Sequence, residues 1–172
     1  MATFRTAEKE WVDLLAEVMK QHHPDLVEAG VTVGLLFAHA PRNDATGEPQ
    51  GPALKHNGYP ALAVVKINSQ RDRVEGKPDA TITLDGDRWP DESRESRVAL
   101  LDHELAHLVL VRDEDGGIKT DDCFRPRLKC REHDFQLGGF WDVVERHGKD
   151  AVESRAYQDL HRGFSQRCFP WG

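Results

Sequence analysis

His103, Glu104 and His107 stand in the run His-Glu-Leu-Ala-His. Residues four apart on a helix share one face. The two imidazoles can therefore reach a single metal ion, while Glu104, next to the first, points to the space beside an open coordination position. The chemistry of such a set is metal-assisted hydrolysis. Zn2+ held by two imidazoles and a third protein ligand keeps a water whose pKa falls to about 7, and a neighbouring carboxylate takes the proton as that water attacks a polarised carbonyl. Glu104 would be general base first and general acid later, delivering the proton to the leaving amine. The run interrupts the most apolar turn of the chain, LLDHELAHLVLV, where charges are costly to bury without partners or a metal.

A third ligand must come from elsewhere in the chain. Asp113 occupies the last position of a metzincin-like HExxHxxGxxH or D pattern. Leu110, however, stands where that pattern has its glycine, so the chain cannot easily turn there and Asp113 reads better as a helix-terminating surface acid. His133, in the segment CREHDF, is the first choice, because a helix packed beside the motif helix can present a ligand from its first turn. Glu132, Asp134 and Glu145 are the alternatives. With His133 as ligand, Asp134 suits a supporting role, accepting the other ring N–H of a ligand imidazole and fixing its tautomer. Tyr59, Tyr157 and His147 are candidate hydrogen-bond donors to a developing oxyanion, and nothing in the sequence selects among them. His22, His23, His39, His56 and His161 read as surface or satisfied core residues. Cys123 and Cys130 lack the spacing of a zinc knuckle, and with Cys168 they read as unpaired thiols.

These side chains need a scaffold to position them. Trp11, Leu14, Leu15 and Val18 recur with helical spacing over about residues 6–22, with Thr6 as cap and Pro24 as stop. Residues 31–38 and 59–68 read as strands, separated by a Pro- and Gly-rich loop. Residues 79–89 read as a third strand, antiparallel to the second, with Ala80, Ile82 and Leu84 inward and Thr81, Thr83 and Asp85 outward. The charged connection before it, with Gly76 and Pro78, reads as a hairpin-type turn. Asp91 or Ser93 can cap a helix that carries Val98, Leu101, Leu105 and Leu108 on one face through to about Val111. Further helices are expected over about 132–148 and 151–163. The expected class is α+β: a small, mostly antiparallel three-stranded sheet packed on an N-terminal helix and the motif helix, with C-terminal helices.

At 172 residues the chain has room for one domain, taken as 1–172. Only 38% of residues are hydrophobic, yet four Trp and seven Phe supply anchors that a disordered chain lacks. The net charge of -7 repels phosphate backbones and argues against direct nucleic-acid binding. The local basic cluster of Arg125, Arg127, Lys129 and Arg131 reads as a solvated loop. No run approaches the roughly 18 apolar residues of a membrane span. The odd cysteine count and the absence of an apolar leader point to a reducing compartment, so a cytoplasmic protein with no membrane partner is expected.

The segments ALKHNGYPALAVVKI and DATITLDGDRW, followed by LLDHELAHL, CREHDF and ERHG, resemble the phage metallopeptidases. This zincin-like family is similar in outline to SprT-like and ImmA/IrrE-like proteins, and the likeness covers about residues 5–148. The resemblance implies His103, His107 and His133 as zinc ligands and Glu104 as catalytic acid/base. It also implies a minimal gluzincin-like core whose edge strand, placed near residues 59–67, aligns a peptide or protein substrate by strand addition. If the chain is phage-encoded, the host cytoplasm is its compartment. Three rivals remain. A zinc-dependent amidohydrolase acting on a small amide predicts a closed pocket. A noncatalytic zinc-stabilised interaction module predicts a fourth protein ligand. Cleavage of DNA-bound proteins predicts basic patches.

Overall fold

The computed structural model describes residues 2–133 and, beyond them, Arg146, Lys149, Ser154, Tyr157 and Gln158. The helices expected over 132–148 and 151–163 fall largely outside these residues, as do Asp134, Glu145, His147, His161 and Cys168. The chain divides into two compact units, Met1–Glu132 and His133–Gly172. The first carries every strand and helix named below, and His133 follows it directly.

In chain order the elements are β1 (Thr3–Thr6), α1 (Lys9–His22), α2 (Pro24–Glu28), β2 (Val33–His39), β3 (Lys55–His56), β4 (Tyr59–Pro60), β5 (Ala63–Ile67), α3 (Gln70–Val74), β6 (Ala80–Asp85), α4 (Arg94–Ala106), β7 (Leu108–Leu110) and β8 (Leu128–Cys130). The fold is α+β around a mixed four-stranded sheet of order β1-β2-β6-β5. β5 and β6 pair antiparallel, as expected, but β2 and β6 run parallel. The expected three-stranded, mostly antiparallel sheet is thereby corrected twice. β1 is a fourth strand, antiparallel to β2, and all four of its residues are exposed, so no apolar alternation marks it. β5 precedes β6 in sequence but lies on its far side, which leaves β6 between β2 and β5.

β6 is the centre of the core. Ala80, Ile82 and Leu84 are wholly buried, while Thr81 and Thr83 alternate outward. Asp85 breaks the expected alternation: it is buried because its carboxylate caps the next turn, accepting the backbone N–H of Asp87 at 3.0 Å and of Arg88 at 3.2 Å. Leu14, Leu15 and Val18 of α1 and Leu101 and Leu105 of α4 belong to the same cluster. α4 packs against both α1 and β5. Trp89 meets Trp11 edge-to-face at 5.5 Å, and the Arg97 guanidinium lies 4.7 Å over Trp11 while donating to the Trp89 carbonyl, which pins the start of α4. Truncating Ile82 to Ala is expected to cost about 2–5 kcal/mol, read as a lower urea midpoint.

Local rules explain the remaining departures. Thr6 ends β1 and does not cap α1, which begins at Lys9 with extended Glu8 before it. Pro24 does more than stop a helix: at the first turn of α2 its missing N–H costs nothing. Residues 69–78 hold a helix where a simple turn was expected, because Ser69 and Asp72 form a reciprocal capping box at the start of α3. Ser93 caps α4, accepting from the Ser96 N–H at 3.1 Å. α4 stops at Ala106, five residues before the expected end at Val111. Leu108–Leu110 leave the helix because they pair antiparallel with Leu128–Cys130.

The excursion between β7 and β8 is tied back to the sheet by charge. Arg125 was expected in a solvated basic loop. Instead its guanidinium lies 2.9 Å from the Asp79 carboxylate, which is 1% exposed, and also donates to the Lys77 carbonyl at 3.0 Å. Asp79 further accepts from the backbone N–H and hydroxyl of Thr32, each at 2.8 Å, and Arg73 bridges to Asp121 at 3.0 Å. A buried carboxylate this well paired fixes geometry more than it adds stability. It holds the strand that leads to His133.

Candidate metal centre

α4 delivers the first part of the site. His103 and Glu104 lie in its last turn, and His107 is the residue that ends it. The rings of His103 and His107 stand 5.1 Å apart, nearly perpendicular. Asp102, beside His103, is held by His23 Nε2 at 2.7 Å, which anchors this turn to the α1–α2 junction.

The β7–β8 hairpin delivers the rest. Its register sets Leu108 opposite Cys130, and the ladder continues one step further, with the Arg131 N–H donating to the His107 carbonyl at 2.8 Å. His107 Nδ1 donates to the Arg131 carbonyl at 2.6 Å. That bond fixes the tautomer, with the proton on Nδ1 and the ligating lone pair on Nε2. Two residues later the strand brings in His133. Ligand nitrogens of His103, His107 and His133 all lie within 4.8 Å of one another, with His107 half-buried and the other two exposed. The device expected from sequence, a packed helix presenting His133 from its first turn, falls outside the described residues. The hairpin register is what brings the ring to His107.

The set suits a transition-metal ion. Tetrahedral zinc with Zn–N bonds of about 2.0–2.1 Å requires nitrogens roughly 3.4 Å apart, which small side-chain rotations of two exposed imidazoles supply. Asp113 is not among the clustered residues. Its Oδ1 accepts from the Gly117 N–H at 2.7 Å and the Asp115 N–H at 3.1 Å, so it organises its own loop. Glu132 immediately precedes His133 and is exposed. Asp134 and Glu145 lie outside the described residues. Cys123 and Cys130 are exposed thiols.

Glu104 is 5% exposed and lies against β5. Burial pushes its carboxyl above the ordinary glutamate range; the charge of His107, the backbone N–H of Val65 and the charge of His56 oppose that rise. The Val65 contact defines an orientation. Leu62 accepts from the Asp85 N–H and the Asn68 N–H donates to Asp79, so even-numbered residues of this segment turn toward β6. The N–H and C=O groups of Ala63, Val65 and Ile67 therefore face the open edge. Glu104 sits at that edge.

Tyr59 and Tyr157 are both exposed. His56, read from sequence as a surface residue, acts electrostatically on Glu104. The signal that could have found it is its place beside the Asn-Gly turn immediately before β5. Among the described residues no helix is long and apolar enough to cross a membrane. Neither a curated protein nor a solved structure matches the chain. Residues 3–164 match the family described as "Putative phage metallopeptidase", and on that coverage the chain belongs to it.

Proposed function

We propose that the protein is a zinc metallopeptidase that hydrolyses a peptide bond in a specific intracellular protein, with His103, His107 and His133 as ligands and Glu104 as the acid/base. The observation that carries this reading is the convergence of three imidazole nitrogens within 4.8 Å of one another beside a buried carboxylate. Zinc bound there would supply Lewis acidity, making a water acidic near neutrality and polarising an amide carbonyl.

The chain's own groups supply the remainder. Glu104 accepts the proton of the attacking water on a carboxylate oxygen and passes it to the leaving amine. Its raised proton affinity, caused by burial, suits that task at neutral pH. The open edge of β5 offers the outward backbone groups of Ala63 and Ile67 and the Val65 carbonyl to an extended substrate, which would run past Glu104, the carboxylate that already takes the Val65 N–H. His107 is kept in the ligating tautomer by the Arg131 carbonyl. The edge strand favours a peptide over a small amide, since only an extended chain can use it.

Removing the metal tests the proposal. Purified protein is expected to hold about one zinc ion per chain. Treatment with 1,10-phenanthroline should reduce cleavage of unstructured casein to background, and one equivalent of zinc should restore it. Cleavage that persists in metal-free protein would overturn the assignment.

A further inference from the structure

The β7–β8 hairpin carries charge as well as the route to His133. Its register sets Lys129 opposite Val109, and one step outward the Val111 N–H donates to the Arg127 carbonyl at 2.9 Å. Lys119 joins there: its N–H donates to the Val111 carbonyl and its carbonyl accepts the Arg127 N–H, both at 2.8 Å. Residues directly opposite in an antiparallel pair project from the same face, and side chains alternate along a strand. Val109, Val111, Lys119, Arg127 and Lys129 therefore share one face, while Leu108, Leu110 and Leu128 share the other. Burial follows the same division. Leu108 and Leu110 are buried and Leu128 is half-buried, whereas Lys119, Arg127 and Lys129 are exposed.

Those three cations are unanswered. The chain holds 30 Asp and Glu against 23 Lys and Arg, yet among the described residues none of the acids forms an ion pair with Lys119, Arg127 or Lys129. Asp121 and Arg125, farther out on the same excursion, are taken up by Arg73 and Asp79. The strand is also bonded directly to a candidate metal ligand. The Arg131 N–H donates to the His107 carbonyl at 2.8 Å, and His107 Nδ1 donates to the Arg131 carbonyl at 2.6 Å. At about 3.3 Å per residue, Lys129 and Arg127 stand roughly 7 and 13 Å along the strand from that rung. β8 packs against β5 as well, the edge strand proposed to align substrate.

We propose that Lys119, Arg127 and Lys129 select the substrate, an extended protein segment that carries Asp or Glu on alternate residues to one side of the bond it presents for cleavage. This deepens the peptidase reading above and rests on it. Alternate side chains of an extended chain repeat about every 6.6–6.8 Å, the interval that separates Arg127 from Lys129, so two carboxylates on one face of a substrate strand meet both cations at once. With the cations roughly 7 and 13 Å from the His107 rung, those acids fall about two to five residues from the scissile bond. A nucleic acid fits less well. A duplex presents a continuous run of phosphates, which the net charge of -7 repels, whereas a short acidic segment engages only the basic face.

The test uses the zinc-loaded full chain and pools of internally quenched peptides with a mixed-sequence centre, flanked on one side or the other by Glu, Gln or Lys at alternate positions. At low salt, one of the two Glu-flanked pools should show kcat/KM about 10-fold above its Gln-flanked counterpart, since each exposed charge pair is worth a few-fold at most. That advantage should shrink toward unity in about 0.5 M NaCl. Arg127→Glu combined with Lys129→Glu should reverse the order, making the Lys-flanked pool the better substrate, with zinc content as in the parent. A reversed preference is a result that mere loss of structure does not produce. Lys20→Glu, which changes an exposed charge on α1, should keep the preference for Glu. A second readout needs no turnover: zinc-loaded Glu104→Gln should bind a fluorescein-labelled Glu-flanked pool about 10-fold more tightly than the Gln-flanked one, measured by anisotropy. Equal kcat/KM for Glu and Gln pools on both sides, or a Glu preference that survives the double reversal, overturns the inference and leaves the peptidase reading standing. A single-stranded DNA oligonucleotide that binds Glu104→Gln more tightly than the Glu-flanked pool, and is lost in the double reversal, assigns the face to nucleic acid and likewise overturns it. A zinc-loaded parent that cleaves none of the pools overturns both.

Discussion

Glu104→Gln is expected to lower kcat by about 10²–10⁴ while zinc content and fold stay intact. The amide keeps the shape of the side chain and can still accept the Val65 N–H, but it cannot take a proton from water. The same substitution has a stability signature opposite in sign to its effect on activity. Burial raises the folded-state pKa of Glu104 above its unfolded value. Its favourable contribution is therefore complete below the unfolded pKa, about 4.3, and is lost as pH rises through the folded pKa. At neutral pH the buried carboxylate costs the metal-free protein stability that a neutral Gln does not. Metal-free Glu104→Gln should thus melt higher than the parent at pH 7, and the difference should shrink below the ordinary glutamate range. For the active protein, the acid limb of kcat/KM should fall with loss of the Glu104 proton acceptor. Undiminished cleavage by Glu104→Gln would remove the proposed mechanism.

His133→Ala should weaken zinc binding by more than about 100-fold, because even changes to groups that merely support metal ligands cost roughly 10–100-fold. Asp113→Ala should leave zinc affinity unchanged, since the Asp113 carboxylate is occupied by the backbone of its own turn. Competition titration with a chromophoric zinc chelator measures both on one scale. Equal affinities for the two variants, or the greater loss in Asp113→Ala, would contradict the ligand choice. Arg125→Ala offers a related comparison. It touches no candidate ligand, but it would leave the buried Asp79 short of a partner and loosen the excursion before β8.

The two imidazoles and Glu104 were legible because helical spacing alone puts positions 103 and 107 on one face, and the helix has clear caps and an apolar stripe. The point where that helix ends was not legible. Leu108 continues the stripe of Leu101 and Leu105, so periodicity runs on toward Val111, and only pairing with Leu128–Cys130 pulls Leu108–Leu110 into a strand. That partner is disguised: β8 is three residues long and holds a lysine, and β1 has no buried residue at all. His133 could be singled out by residue type and context, but the device that carries it to His107 is a hairpin register, which depends on residues 18 to 22 positions apart. Arg125 looked like surface charge because its partner, Asp79, lies across the fold. His56 was passed over for the same reason, since its electrostatic effect on Glu104 arises only in the folded chain. The Asn-Gly pair beside it carried a readable turn signal. Contacts distant in sequence account for what the linear pattern missed at the site and in the sheet, while the helix over Gln70–Val74 and the burial of Asp85 came from hydrogen bonds between near neighbours.

The most direct measurement is crystallographic: anomalous scattering collected on either side of the zinc absorption edge from crystals of the full chain. The expected map has a single strong peak bonded to one nitrogen each from His103, His107 and His133, with Glu104 beside a position no side chain fills. A peak elsewhere, or a fourth side chain bonded to the ion among those three rings, would contradict a catalytic metal at this site.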